Sequence, residues 1–263
     1  MPVAPDRELK AVLEQLVAGV RPILGGNFVG AYLQGSFAVG DWDTSSDVDF
    51  LFVVNEDVPE ALVAALQAIH VRVFETGSYW AQHLEGSYFP ADWLRRLDTQ
   101  GWPLLYIDNG SQVLERSPHD NTMVVRWVMR ERGVTLAGPE ARTLLGPVPP
   151  DLLRREAYGK MAGWVEEILA DPQAMNSGWY QPYAVLNLSR MLRTLVTGEV
   201  HSKASTAAWG KETLDARWRG LIERAWAKHA GQFTRVYEQA DPDDFALTLE
   251  FVQYVLAEAK RLY

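Results

Sequence analysis

The sequence predicts an α/β (α+β) N-terminal domain with a small mixed sheet over residues 1–148, followed by an all-α helical-bundle domain over residues 149–263. Three observations carry that expectation. Short apolar runs alternate with amphipathic helical patterns through the first half of the chain. A stiff connector, Gly146-Pro147-Val148-Pro149-Pro150-Asp151, then interrupts the pattern. Beyond it, every long segment has helical periodicity.

Residues 6–22 read as a helix because Leu9, Val12, Leu13, Leu16, Val17 and Val20 fall on one stripe. Gly25-Gly26-Asn27 ends it, and the apolar run at 28–34 reads as a strand. A short helix is expected from near Ser36, then a polar loop over 40–46 and a second strand over 48–54. Pro59 opens a helix to about residue 78, with Leu62, Leu66, Ile69 and Val73 on one face. Residues 80–90 read as a third strand stopped by Pro90, which would set His83, Glu85 and Ser87 on one side. Shorter strand candidates lie at 103–107 and 112–115, a helix at 121–132 and an extended piece at 134–136. In the second half, helices are expected over 151–170, 179–196, 203–213, 216–230 and 242–262. Ser202 and Asp215 stand where N-caps belong, and Asp241-Pro242-Asp243-Asp244 supplies a cap, an N1 proline and first-turn acids.

The net charge of −9 is unevenly spread: residues 1–150 hold 11 Lys and Arg against 19 Asp and Glu, and the remainder 14 against 15. An acidic first half argues against nucleic acid, whose phosphates call for a basic face, and suits a cationic small-molecule partner. The chain has no cysteine, which excludes disulfides, thiolate metal sites and cysteine nucleophiles. No apolar run approaches the roughly 20 residues that span a bilayer, and Met1-Pro2-Val3-Ala4-Pro5-Asp6 has no leader-like pattern. A soluble, cytoplasmic monomer with no membrane contact is expected. With ten Trp and ten Tyr, some aromatic rings are expected to line a cleft.

The chemistry concentrates in one stretch. Gly35-Ser36 follows the first strand, and ten residues later Asp47-Val48-Asp49 opens the second. Alternation along a strand sets Asp47 and Asp49 on one side, with Val48 and Phe50 in the opposite layer. Two carboxylates so placed suit a hard divalent cation such as Mg²⁺, which takes oxygen ligands and keeps positions for phosphate and water. Gly35 lets backbone approach a phosphate, and Ser36 adds a hydroxyl. Asp-x-Asp alone is also the pattern of a solvated strand face; here the strand that follows is apolar throughout, and acids opening a buried strand need a partner. Glu85 is the candidate third carboxylate, as base or as metal ligand. Asp92 and Asp41 are its rivals, whereas Asp41 and Asp43 sit in a polar loop. No phosphate-binding Gly-x-x-x-x-Gly-Lys-Ser/Thr loop or Gly-x-Gly-x-x-Gly fingerprint occurs, and the five histidines have no zinc spacing.

Gly35-Ser36 followed at this distance by Asp47-Val48-Asp49 resembles the signature of the DNA polymerase β-type nucleotidyltransferase superfamily. Leu188-Ser189-Arg190, Thr197-Gly198-Glu199-Val200, Ser202-Lys203, Ala207-Ala208-Trp209 and Glu250-Phe251-Val252-Gln253-Tyr254-Val255 resemble the C-terminal domain of streptomycin/spectinomycin aminoglycoside adenylyltransferases, and Arg132-Gly133-Val134 with Leu136-Ala137-Gly138-Pro139 fits the same family. The resemblance implies transfer of AMP from ATP to a hydroxyl of an aminoglycoside-like antibiotic, with pyrophosphate released. It implies Mg²⁺, as two ions, on Asp47, Asp49 and Glu85, with Glu85 as the catalytic base. Gly35, Ser36, Arg190 and Lys203 would meet the nucleotide. Trp102, Trp179 and Tyr180 would meet the acceptor, although Ser177–Tyr183 contains none of the acids with which that family receives ammonium groups. Nucleotidyl transfer to another small molecule or to a protein, and a non-catalytic nucleotide-binding module, are the alternative readings.

Overall fold

The first apolar stripe becomes helix α1 (Arg7–Leu24), whose Leu9, Leu13, Leu16 and Val20 are buried. A computed structural model describes residues 7–42, 46–229 and 235–263; residue 6 of the first expected helix, Asp43 with the rest of 43–45, and residue 230 lie outside them. The chain divides into two compact units, one of the described residues up to Val148 and one running from Pro149 to Tyr263.

In the first unit, α1 is followed by β1 (Phe28–Leu33), α2 (Gly35–Val39), β2 (Val48–Val54), α3 (Glu60–Phe74), β3 (Leu84–Pro90) and α4 (Ala91–Arg95). Then come β4 (Leu104–Ile107), β5 (Leu114–Ser117), α5 (Met123–Arg132) and β6 (Val134–Ala137). The described strands form one sheet in the order β5-β4-β3-β2-β1-β6. The β2–β3 pair is parallel, joined through α3, and all other pairs are antiparallel.

Both faces of the sheet are covered, which is why β2 reads as a continuous apolar run. Val48, Phe50, Phe52 and Val54 pack with α1 and α3 in one core, joined by Leu84, Tyr88, Leu105 and Ile107. The alternate residues, Tyr32, Leu51, Val53, Phe89 and Leu104, pack with Leu94 of α4 and Met129 of α5 in the other. Strand alternation therefore assigns Asp49, Glu85, Ser87, Tyr106 and Asp108 to the α5 face.

Two expectations need correction. Residues 80–83 are a 3₁₀ turn, and β3 begins only at Leu84, so His83 does not share a strand face with Glu85 and Ser87. Packing overrides alternation here: Trp80 sits edge-on to Phe37 and Trp42, and the His83 ring stacks on Tyr79 at 4.1 Å. Helix α3 ends at Phe74 rather than near residue 78, where Thr76 Oγ1 donates to the Val73 carbonyl and Gly77 adopts a positive φ.

The second unit contains α6 (Pro150–Ala170), α7 (Tyr180–Thr197), α8 (Lys203–Thr213), α9 (Arg219–His229) and α10 (Pro242–Leu262). Helix α7 lies against the other four and supplies Val185, Leu188 and Leu192 to a core shared with Trp218 and Phe251. The expected helix from 216 opens as a 3₁₀ turn capped by Asp215. Gly198, at φ +73°, is the left-handed residue that ends α7. Asp241 caps α10, and buried Asp244 takes Arg224 at 2.7 Å and Lys228 at 2.6 Å, tying that helix start to α9.

Candidate active site

Register creates the site. Parallel pairing sets Asp49 of β2 directly opposite Glu85 of β3. Asp47 stands one strand step before Asp49, and oxygen atoms of Asp47, Asp49 and Glu85 lie within 4.8 Å of one another. Oxygens on opposite sides of a magnesium ion are about 4.2 Å apart, so small side-chain adjustments are enough to seat one. All three donors are hard oxygens, and a magnesium ion fits this set.

The electrostatics favour a cation as well. Burial, then the charges of Asp47, Glu85 and Asp120, holds the Asp49 carboxyl well above the usual carboxylate range, against the lowering effect of the Ser36 backbone N–H it accepts. A divalent cation among these oxygens reverses that balance by stabilising the ionised form.

The loop beside Asp49 is built for close approach. Gly35 has φ +58°, and a Cβ there would run into the Asp49 carboxylate. Ser36 follows at the start of α2 with its Oγ buried and without a hydrogen-bond partner. A buried hydroxyl with no acceptor is costly unless a ligand completes it. Among the described residues, Ser36 Oγ is thus an orphan beside a carboxylate cluster.

Several residues at this face escaped the sequence reading. Asp120, 4% exposed, accepts from Ser87 Oγ at 2.7 Å and from Gln34 Nε2 at 3.3 Å, bracing β3 against the joint before Gly35. Burial pushes its carboxyl up to about 6, although the Ser87 hydrogen bond pulls the other way. Glu85 Oε1 meets Tyr106 Oη at 2.8 Å and His119 Nε2 at 3.1 Å. Their only sequence signals were Tyr106 in a strand candidate and His119-Asp120 just ahead of a helix. Both rivals of Glu85 stay out: Asp92 is exposed near Arg96 at 3.6 Å, and Asp41 is not in the carboxylate cluster.

Trp102 is 42% exposed, edge-on to Trp93 at 5.1 Å, with the Arg96 guanidinium 5.8 Å from its ring. Its carbonyl accepts from Asn121 Nδ2 at 2.9 Å, so its loop is anchored beside Asp120. The second unit holds the remaining candidates. Arg190 donates from Nε to the His201 carbonyl at 3.1 Å and from Nη1 to Asn187 Oδ1 at 3.2 Å. Lys203 is the first residue of α8 after the Ser202 cap, 5.9 Å above the Tyr183 ring. A cation at that end opposes the helix dipole by roughly 0.3–1 kcal/mol, a cost that a bound anion offsets. Trp179 stacks on Tyr183 at 4.9 Å and on Tyr180 at 5.5 Å, and Tyr180 Oη accepts from Trp164 Nε1 at 2.9 Å.

A mixed sheet carrying Asp-x-Asp opposite a third carboxylate, with a Gly-Ser turn against it, defines a nucleotidyltransferase, and the Nucleotidyltransferase domain family model matches residues 20–93. The model for the Aminoglycoside adenylyltransferase, C-terminal domain, matches residues 143–258. The chain is therefore an aminoglycoside adenylyltransferase-like enzyme of the nucleotidyltransferase class. Spectinomycin 9-adenylyltransferase of Staphylococcus aureus is 26% identical over 232 residues, covering 81% of this chain and 82% of that protein. Aminoglycoside (3'') (9) adenylyltransferase of Shigella flexneri is 25% identical, covering 97% of this chain and 96% of its own. The crystal structure of spectinomycin adenyltransferase AAD(9) from Enterococcus faecialis, solved with ATP and spectinomycin, has the same fold, with a TM-score of 0.70 at 16% identity over 95% of this chain and 98% of that one.

Proposed function

We propose that this protein transfers AMP from ATP to a hydroxyl of an aminoglycoside-like antibiotic, releases pyrophosphate and so confers antibiotic resistance. The observation that carries the reading is the orphaned Ser36 hydroxyl beside three converging carboxylates, in a chain with both family domains. Asp47, Asp49 and Glu85 would hold the metal. Two Mg²⁺ ions, when bound, stabilise charge on the attacking and leaving oxygens. Glu85 takes the proton of the acceptor hydroxyl, whose oxygen attacks the α-phosphorus in line with the departing pyrophosphate. Gly35 admits a phosphate against the backbone, and Ser36 Oγ donates to it. Arg190 and Lys203 neutralise the triphosphate.

The acceptor is proposed to be an aminocyclitol of the spectinomycin class rather than a polycation such as streptomycin. Ser177–Tyr183 offers no carboxylate, and Trp179, Tyr180 and Tyr183 form a stacked aromatic surface there instead. Such a surface receives a sugar-like ring carrying few charges, through ring stacking and cation–π contact. Trp102 is proposed as a second ring for the acceptor.

Pyrophosphate release with ATP and Mg²⁺, measured over a panel of spectinomycin, streptomycin and other aminoglycosides, tests the whole reading. Turnover with spectinomycin that disappears in Glu85→Gln and Asp47→Asn, with ATP binding retained in Glu85→Gln, is the expected result. Full turnover in Glu85→Gln removes it from the role of base. Binding of ATP without turnover on any acceptor leaves the binding-module reading.

A further inference from the structure

One oxygen of Glu85 is already occupied. Tyr106 Oη lies 2.8 Å and His119 Nε2 3.1 Å from the same atom, Oε1. The two rings stack at 5.2 Å with 23° between their planes, so the phenol oxygen and the imidazole nitrogen reach Oε1 along one wall. Tyr106 comes from β4, where it stands opposite Ser87 and diagonal to Glu85, within reach of a long aromatic side chain. It is 3% exposed.

The phenol is fixed in turn. Its Oη lies 2.9 Å from Asp108 Oδ1, an oxygen that also accepts the Asn109 backbone N–H at 3.0 Å. A hydroxyl has one hydrogen, so only one of the two carboxylates can receive it. Asp108 is exposed to water and has the Asn109 amide, whereas Glu85 is buried and loses more without a donor. The hydrogen therefore belongs to Glu85. A phenol keeps its hydrogen at neutral pH, so Tyr106 remains a donor there.

We propose that Tyr106, seconded by His119, is the positioning residue of Glu85: the pair saturates Oε1, fixes the carboxylate's orientation and leaves Oε2 as the oxygen for the metal and the acceptor hydroxyl. The inference rests on the reading of Glu85 as base and metal ligand. It concerns orientation alone, and neither Tyr106 nor His119 touches a reacting atom. Groups that orient a metal ligand from behind typically matter by 10–100-fold in metal affinity or rate.

Tyr106→Phe keeps the ring and its stacking and removes only the hydroxyl. The expected result is a kcat lower by about 10–100-fold with little change in the KM for ATP. Mn²⁺ binding to the nucleotide-free protein, followed by electron paramagnetic resonance, is expected to weaken by about tenfold. In a Glu85→Gln background the same substitution should change Mn²⁺ affinity no further, because both act through one carboxylate. A purely structural role would instead lower the melting temperature and leave the kcat and Mn²⁺ affinity of the folded enzyme alone. His119→Phe, at an exposed side chain, probes the second arm independently of how Tyr106→Phe folds and should shift both quantities in the same direction. Unchanged kcat and Mn²⁺ affinity in these variants overturns the clamp while turnover lost in Glu85→Gln keeps the base assignment. Turnover and Mn²⁺ affinity intact in Glu85→Gln overturn that assignment, and the clamp with it.

Discussion

Gly35 and Ser36 are adjacent and do opposite things to stability. Gly35 relieves two conflicts together, a left-handed φ of +58° and the Asp49 carboxylate pressed against its Cα. Gly35→Ala should cost roughly 1–3 kcal/mol of stability. Because the added methyl displaces the Asp49 carboxylate, turnover should fall by about 100-fold or more. Chemical denaturation and steady-state pyrophosphate release read the two effects separately. Ser36 carries a buried hydroxyl with no partner, so the fold gains nothing from it. Ser36→Ala should leave stability unchanged or raise it by up to about 1 kcal/mol, because an unsatisfied polar group is removed. The same variant should raise the KM for ATP by about tenfold, the worth of one hydrogen bond to a charged phosphate. A variant that loses stability with no change in KM would assign Ser36 to the fold instead.

At the scale of elements, the packing of α3 on the sheet makes a prediction about acid. His70 of α3 stacks on Phe50 of β2 at 5.7 Å, and its Nε2 lies 2.8 Å from Tyr88 Oη on β3, while its Nδ1 is buried without a partner. Burial lowers its pKa from 6.5 to about 4. The unfolded chain therefore binds a proton that the folded chain refuses. This contribution is fully present above pH 6.5 and disappears as the pH falls through about 4. It amounts to about 3 kcal/mol across that window. Urea midpoints between pH 7 and pH 4 should fall accordingly. The double substitution His70→Phe with Tyr88→Phe removes both polar partners and should flatten that slope. An equally steep slope in the double variant would assign the acid sensitivity to other groups. The same packing marks where sequence periodicity stops being legible. Strand β2 was readable to the residue because both its faces are apolar, and Pro59 announced α3. The start of β3 was not, because Trp80 and His83 follow aromatic partners distant in sequence rather than the alternation of a strand.

For the whole molecule, the local signals were legible and the sheet order was not. Asp47, Asp49 and the Gly35-Ser36 turn could be read because strand alternation is a property of neighbours in sequence. Tyr106, His119 and Asp120 could not, since they reach the site only through the β3–β4 pairing and the segment before α5. That convergence also makes the metal-free enzyme internally opposed. Asp49 is half-buried among three other carboxylates, which favours its protonated form and works against folding at neutral pH. Asp49→Asn removes the charge at nearly constant shape, so it should raise the melting temperature of the metal-free protein while abolishing turnover. Saturating Mg²⁺ with ATP should stabilise the parent by about 2.7 kcal/mol at one hundred times the dissociation constant. In a chain of this size that is roughly 5–10 °C. The variant should start higher and gain little. The two proteins therefore exchange rank when ligand is added, and a thermal-shift titration reads that exchange directly. If Asp49→Asn melts below the parent without ligand, the carboxylate cluster is held by compensations other than a metal, and folding and catalysis are not opposed at this site.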